Sequence, residues 1–218
     1  TISMQKISAL ETEEEISNYI PLGLNDAYDQ KMKFTKTDLV LLGGRRGAGK
    51  SFSCANIAVH QYNLGKSSLY FTIEMTKEQT FRTLAALGAN IPLNRLTQRM
   101  LTKKEYQRLA EWQADRFEGS SSSLMEYYTH QDYDKFQNEV TKLPLRTDKQ
   151  MDIVYDTSLT LAKIKAEIEY RSNYLDLGVV IIDYINQVRR SAIPSRAGQY
   201  DWTEQIEVSK TLKQYAQD

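Results

Sequence analysis

The chain has 218 residues, room for one large domain or a domain with an appendage. Lys plus Arg equals Asp plus Glu at 28 each, which excludes a protein that coats nucleic acid by bulk charge but leaves room for a few basic loops. The single cysteine, Cys54, excludes an internal disulfide and suits a reducing compartment, and no apolar run approaches membrane-spanning length.

Residues 4–19 read as a short amphipathic, glutamate-rich helix carrying Glu11 and the run Glu13-Glu14-Glu15. Pro21-Leu22-Gly23-Leu24 makes a turn, and Asn25 to Lys33 has room for one helical turn. Asp38-Leu39-Val40-Leu41-Leu42 is an apolar strand that leads into Gly44-Arg45-Arg46-Gly47-Ala48-Gly49-Lys50-Ser51. That octapeptide matches the phosphate-cradling loop G-x-x-x-x-G-K-[ST] in full, and its strand–loop–helix setting is what a bare motif lacks. The glycines let backbone N–H groups crowd an oxyanion without Cβ interference, and the next helix points its positive end at the same place. Lys50 supplies a point charge for the β and γ phosphates, Ser51 a hydroxyl for Mg²⁺, and Phe52 continues the nucleotide-binding stretch. The motif predicts a site for a nucleoside triphosphate with Mg²⁺.

Beyond the loop, Phe52, Ala55, Val59 and Tyr62 recur at helical spacing until Gly65. Cys54 lies inside that helix and reads as a packing residue. Ser68 to Ile73 is a strand ending at Glu74. Thr76 with Gln79, and Thr102 with Glu105, form capping boxes for helices reaching Gly88 and about Phe117. The stretch 119–150 has four consecutive serines, several tyrosines and alternating charge, and reads as a surface insertion outside the core. Asp152 to Tyr155 is a brief strand, and 160–172 a helix with Leu161, Ile164 and Ile168 inward. The run Gly178 to Ile182, ending at Asp183, reads as a strand covered on both faces. Residues 203–217 close as a helix with Ile206, Leu212 and Tyr215 on one side. Such alternation predicts an α/β fold, a mostly parallel sheet with helices on both faces.

Hydrolysis of a nucleoside triphosphate requires a second Mg²⁺ anchor and a carboxylate to position water. Asp183, at the carboxyl end of an apolar strand, suits the first task. Glu74 ends the other apolar strand and is equally consistent with a first-turn glutamate that favours the helix dipole. Arg189, Arg190 and Arg196 lie in a glycine- and proline-punctuated stretch after Asp183, as contacts to DNA or a neighbouring subunit or as an ordinary solvated loop. His60 and His130 are isolated and suggest no metal site, and Trp112 and Trp202 read as packing or interface residues.

In order along the chain, Pro21 to Leu24, Asp38 to Leu42 with the phosphate loop, Ile73-Glu74-Met75 with Arg82, Ile181-Ile182-Asp183-Tyr184, and Val208 to Ala216 resemble the ATPase domain of DnaB-type replicative DNA helicases, phage-encoded members above all. The resemblance implies a RecA-like P-loop NTPase domain over 21–218 and a linker or subunit-docking segment over 1–20. It implies Glu74 as the catalytic base beside Lys50, Asp183 with Ser51 on the metal, and Arg45 at a position where the family often carries arginine. Arg46 departs from a common proline. Where the family has a γ-phosphate-sensing glutamine, this chain has Asn186 followed by Gln187, and either suits the role. The insertion at 119–150 is longer than is usual there. Implied partners are single-stranded DNA, further copies of the chain in a ring of hexameric type, and primase or other replisome proteins. No membrane is implied, and the compartment is the cytoplasm of a bacterium or phage-infected host. The family's arginine finger and much of its DNA-binding surface lie beyond the closing helix. The chain opens at Thr1 and stops within a helical pattern at Asp218, so it reads as a piece of a longer protein that binds ATP and alone turns it over poorly. A RecA-like recombinase and a non-catalytic ATP-dependent regulator or loader share parts of this pattern.

Overall fold

The computed structural model describes residues 18–118, 121–190 and 202–217. The glutamate-rich helix expected at 4–19 falls almost wholly outside them, as does Arg196. Three short strands form a parallel sheet: β1 (Ser67–Thr72), β2 (Met151–Tyr155) and β3 (Leu177–Asp183), in the order β2–β1–β3. All six residues of central β1 are buried, so even its hydroxyl-bearing Ser68, Tyr70 and Thr72 face packed interior and not solvent.

Side chains alternate across β1. Tyr70 joins one core with Ala58, Tyr62, Leu84 and Trp112, whereas Leu69 and Phe71 join another with Leu159, Ile164, Val208 and Leu212. The first core is built by the helices α2 (Lys50–Asn63), α3 (Lys77–Gly88) and α5 (Lys103–Asp115), the second by α8 (Leu161–Ser172) and α9 (Trp202–Gln217). Helices therefore cover both faces of a parallel sheet, in agreement with the α/β expectation. Two smaller helices, α1 (Asp26–Lys31) and α4 (Leu93–Thr97), complete this part. The expected capping boxes are present: Thr76 caps α3 with Gln79 in return, and Thr102 caps α5 with Glu105 in return.

Three expectations are corrected. Asp38 to Leu42 makes no ladder with the sheet. Asp38 is held in a turn, its N–H donating to the carbonyl of Thr35 at 3.1 Å and its carboxylate accepting from the N–H of Thr35 at 2.8 Å. The next residues run extended, Leu39 toward one core, Val40 and Leu42 toward the other, and Leu41 outward with 64% exposure. An apolar run marks an extended chain lodged between two cores as well as it marks a strand. Second, Ile206 is 42% exposed, and Val208 takes the inward position on α9 beside Leu212. Third, residues 121–140 fold as α6 (Ser121–Thr129) and α7 (Tyr133–Val140), whose Leu124, Tyr128, Phe136 and Val140 close a small core over Ala110 and Ala114 of α5. The stretch read as outside the core thus carries a core of its own.

Candidate nucleotide site

The phosphate loop emerges at the carboxyl edge of the sheet and hands over to α2. Gly47 and Gly49 have φ of 79° and 84°, values costly for residues with a Cβ, and a Cβ at either would meet nothing within 4 Å. The loop is thus an open cradle. Gly49 caps α2 without a side-chain hydrogen bond, and the first turn of α2 has no acidic residue. By contrast α3, α5, α7 and α8 are capped by Thr76, Thr102, Asp132 and Thr160. The N–H groups and positive dipole end of α2 stay uncompensated by the protein, a setting that suits an anion.

Lys50 folds back over the loop and donates to the carbonyl oxygens of Gly44 at 2.8 Å and Arg45 at 3.0 Å. An ammonium has three protons, so one remains for a further acceptor. Arg45, Arg46, Gly44, Gly47, Ala48 and Gly49 are all exposed. Phe52 is 49% exposed on the first turn of α2 and leaves the core to Ala55, Val59 and Tyr62.

Asp183 ends β3 and is buried. Its Oδ2 accepts from the hydroxyl of Tyr70 at 2.9 Å, and the same hydroxyl lies 3.4 Å from the carbonyl oxygen of Ser51. Tyr70 therefore joins the strand-end carboxylate to the start of α2. Burial, then the Asp183 charge, holds its phenol above the usual tyrosine range, so it is a donor. The same two causes push the neighbouring Cys54 thiol up to about 11, consistent with packing and not reactivity. Nothing in the motif pattern singled out Tyr70. The available signal was a hydroxyl-bearing ring between the apolar Leu69 and Phe71, since a buried phenol requires a partner.

Thr72 pairs with Asp183 in the parallel register, and the N–H of Ile73 donates to the Asp183 carbonyl at 3.0 Å. The Thr72 hydroxyl then donates to the carbonyl of Met75 at 2.8 Å and bends the chain around Glu74, which is exposed. Glu74 and Asp183 thus leave adjacent strands at the same edge. Asn186 and Gln187 follow in a 3₁₀ turn, both exposed. The Gln187 amide donates to the Tyr184 hydroxyl at 2.7 Å, and the Asn186 carbonyl accepts from the Gln205 amide at 3.4 Å.

Arg189 and Arg190 lie apart from this cluster. The backbone of Arg189 bridges the start of α8, its N–H donating to Leu159 at 2.9 Å and its carbonyl accepting from Leu161 at 3.1 Å. Arg190 pairs with Glu207 of α9 at 2.7 Å. A cavity of about 560 Å³ opens elsewhere, between α3 and the outer edge of β2, and no residue of the phosphate loop lines it.

The residues fit a magnesium–nucleotide complex. Among the described residues no group of three or more His, Cys, Asp or Glu could hold a metal unaided. Mg²⁺ with a triphosphate needs no such cage, because one carboxylate and a hydroxyl suffice beside the phosphates and water. Ser51 and the buried Asp183 offer that pair.

A family model described as the DnaB-like helicase C terminal domain matches residues 20–218. A probable replicative DNA helicase of Trieres chinensis is 37% identical over 90 residues, 40% of this chain and 19% of that protein. The replicative DNA helicase DnaB of Rickettsia typhi is 25% identical over 182 residues, 78% of this chain and 30% of that protein. The DnaB of Rickettsia prowazekii matches at the same identity over 31% of its length. The matched part of the chain therefore spans less than a third of these curated relatives. Among solved structures, an ATPase domain superposes with a TM-score of 0.61 over 94% of this chain and 63% of that one, at 17% identity.

Proposed function

This chain belongs to the family of the DnaB-like helicase C-terminal domain, and on that premise we propose that it is the ATP-driven motor domain of a ring-forming replicative DNA helicase. The observation that carries this reading is the phosphate loop seated at the same sheet edge as Asp183, with Tyr70 linking the two. Backbone amides of 44–49 and the Lys50 ammonium would bind the phosphates. Ser51 and Asp183 would hold Mg²⁺, which supplies charge neutralisation on the phosphate oxygens. Glu74, exposed at the end of β1, would accept the proton of the attacking water. Asn186 or Gln187, on the turn directly after Asp183, would report the state of the site to Arg189 and Arg190 and the residues beyond them. Arg196, outside the described residues, belongs to the same proposed contact to DNA or to a neighbouring subunit.

Single-stranded DNA as the track, a hexameric ring, replisome partners such as primase, and action in the cytoplasm of a bacterium or phage-infected cell are parts of the same proposal. No helix among the described residues is long and apolar enough to cross a membrane. The test is electron microscopy with ATP and Mg²⁺, paired with single-strand-stimulated ATP turnover. Closed rings with stimulated turnover are expected. Open filaments on DNA would assign a recombinase, and nucleotide binding without turnover a regulator or loader.

A further inference from the structure

Tyr70 carries the one phenol of its strand. Its neighbours Leu69 and Phe71 are wholly apolar and face the opposite core, while its own ring is buried among Ala55, Ala58 and Ile181 with 1% exposure. A hydroxyl placed there is unfavourable unless it finds an acceptor. It has one proton and two oxygens nearby: Asp183 Oδ2 at 2.9 Å and the Ser51 carbonyl at 3.4 Å. The shorter, charged acceptor takes the proton, and the carbonyl contact lies at the limit of hydrogen bonding. Among the described residues no other side chain bonds Asp183, so this single bond sets how the carboxylate is turned. With Oδ2 engaged, Oδ1 is the oxygen left for a cation.

We propose that Tyr70 is a positioning residue for the metal site: it orients Asp183 so that one oxygen is presented beside Ser51, and it keeps β3 in step with the start of α2. The proposal rests on the nucleotide reading of this site. Hydrogen-bonded partners of metal-ligating carboxylates change metal affinity by about 10- to 100-fold when removed.

The test titrates a fluorescent ATP analogue into the whole chain with Mg²⁺ and with excess EDTA, for the unaltered protein, Tyr70→Phe, Asp183→Asn and the double variant. Tyr70→Phe removes one oxygen and keeps the ring. The tightening of binding by Mg²⁺ is expected to fall about tenfold in Tyr70→Phe, while affinity in EDTA stays within about twofold. In the Asp183→Asn background, Tyr70→Phe should change neither number. Undiminished Mg²⁺-dependent tightening in Tyr70→Phe overturns the proposal. So does an equal loss with and without Mg²⁺, or failure of the variant to fold, since either marks a purely structural role. Absence of Mg²⁺-dependent binding in the unaltered protein would instead overturn the reading of the site itself.

Discussion

Lys50 Nζ lies 2.8 Å from the carbonyl oxygen of Gly44, so the lysine of the phosphate loop is held by the loop it serves. Its charge already sits over the cradle and needs little reorganisation to meet a phosphate. Lys50→Ala should weaken ATP binding about 10- to 100-fold, the range for a hydrogen bond to a charged group. The residue is only half-buried, so the melting temperature should move by no more than about 2 °C. Calorimetric titration and a thermal melt together check this. A large loss of stability would mean that Lys50 is a strut and not a ligand.

Among the described residues Glu74 has no side-chain hydrogen bond or ion pair, and it is exposed. Glu74→Gln should therefore keep nucleotide affinity within about twofold and lower turnover about 100-fold or more, as expected when a general base is removed. Unchanged turnover would remove the catalytic assignment and leave Glu74 as a helix-dipole residue.

Stability is exposed to a change at Gly88, the last residue of α3. A Cβ there would fall well inside van der Waals contact with Nε1 of Trp112 on α5. Alanine ordinarily gains about 1 kcal/mol over glycine within a helix, but overpacking a closed core costs about 1–3 kcal/mol and here the clash is with a rigid indole. Gly88→Ala should lower the melting temperature by roughly 3–6 °C. A rise would show that α3 and α5 can separate without penalty.

Cys54 offers a pH readout of the site. Its thiol sits at about 11 in place of 9.0, mainly by burial and then by the Asp183 charge. At pH 8 the thiolate fraction falls about a hundredfold below that of an ordinary cysteine, so iodoacetamide should react slowly and gain speed only as pH approaches 11. Asp183→Asn removes the second cause, lowers the thiol pKa and should speed labelling. Labelling at an ordinary rate at pH 8 would place Cys54 outside the buried cluster.

The two described arginines after β3 should behave differently. Arg190 is engaged with Glu207, whereas Arg189 is anchored through its backbone and exposes its side chain. Arg189→Glu should reduce single-stranded DNA affinity several-fold and flatten its salt dependence without affecting the fold. Anisotropy titrations at two salt concentrations decide. Unchanged affinity and slope would return this segment to the class of solvated loops.

Much of the nucleotide site was legible because its signals are local. Gly44 to Ser51 carry their chemistry in order, and Thr76 and Thr102 announce helix starts through partners three residues away. Asp183 was legible because an apolar strand delivers whatever ends it to one sheet edge. Pairing was less legible. Leu39 to Leu42 form an apolar run as a strand does, yet the turn from Thr35 to Asp38 and the two flanking cores settle where they lie. Ile206 points outward because α9 meets the sheet through Val208, and rotation of a helix about its axis depends on what it packs against. The hairpin of α6 and α7 hides its core because part of it is Ala110 and Ala114, residues that look ordinary within α5. Tyr70 depends on a contact with Asp183 113 residues away, which no local window contains.

Lys213 on α9 donates to the carbonyl of Thr37 at 2.6 Å, across 176 residues of chain, and lies 3.5 Å from Asp38. During synthesis on the ribosome, the lead into the loop must wait for α9 to emerge before this tether can close. The amides that would cradle a ligand are made early, but the brace behind them is fitted late, so a nascent chain should acquire its full nucleotide affinity only once α9 has emerged.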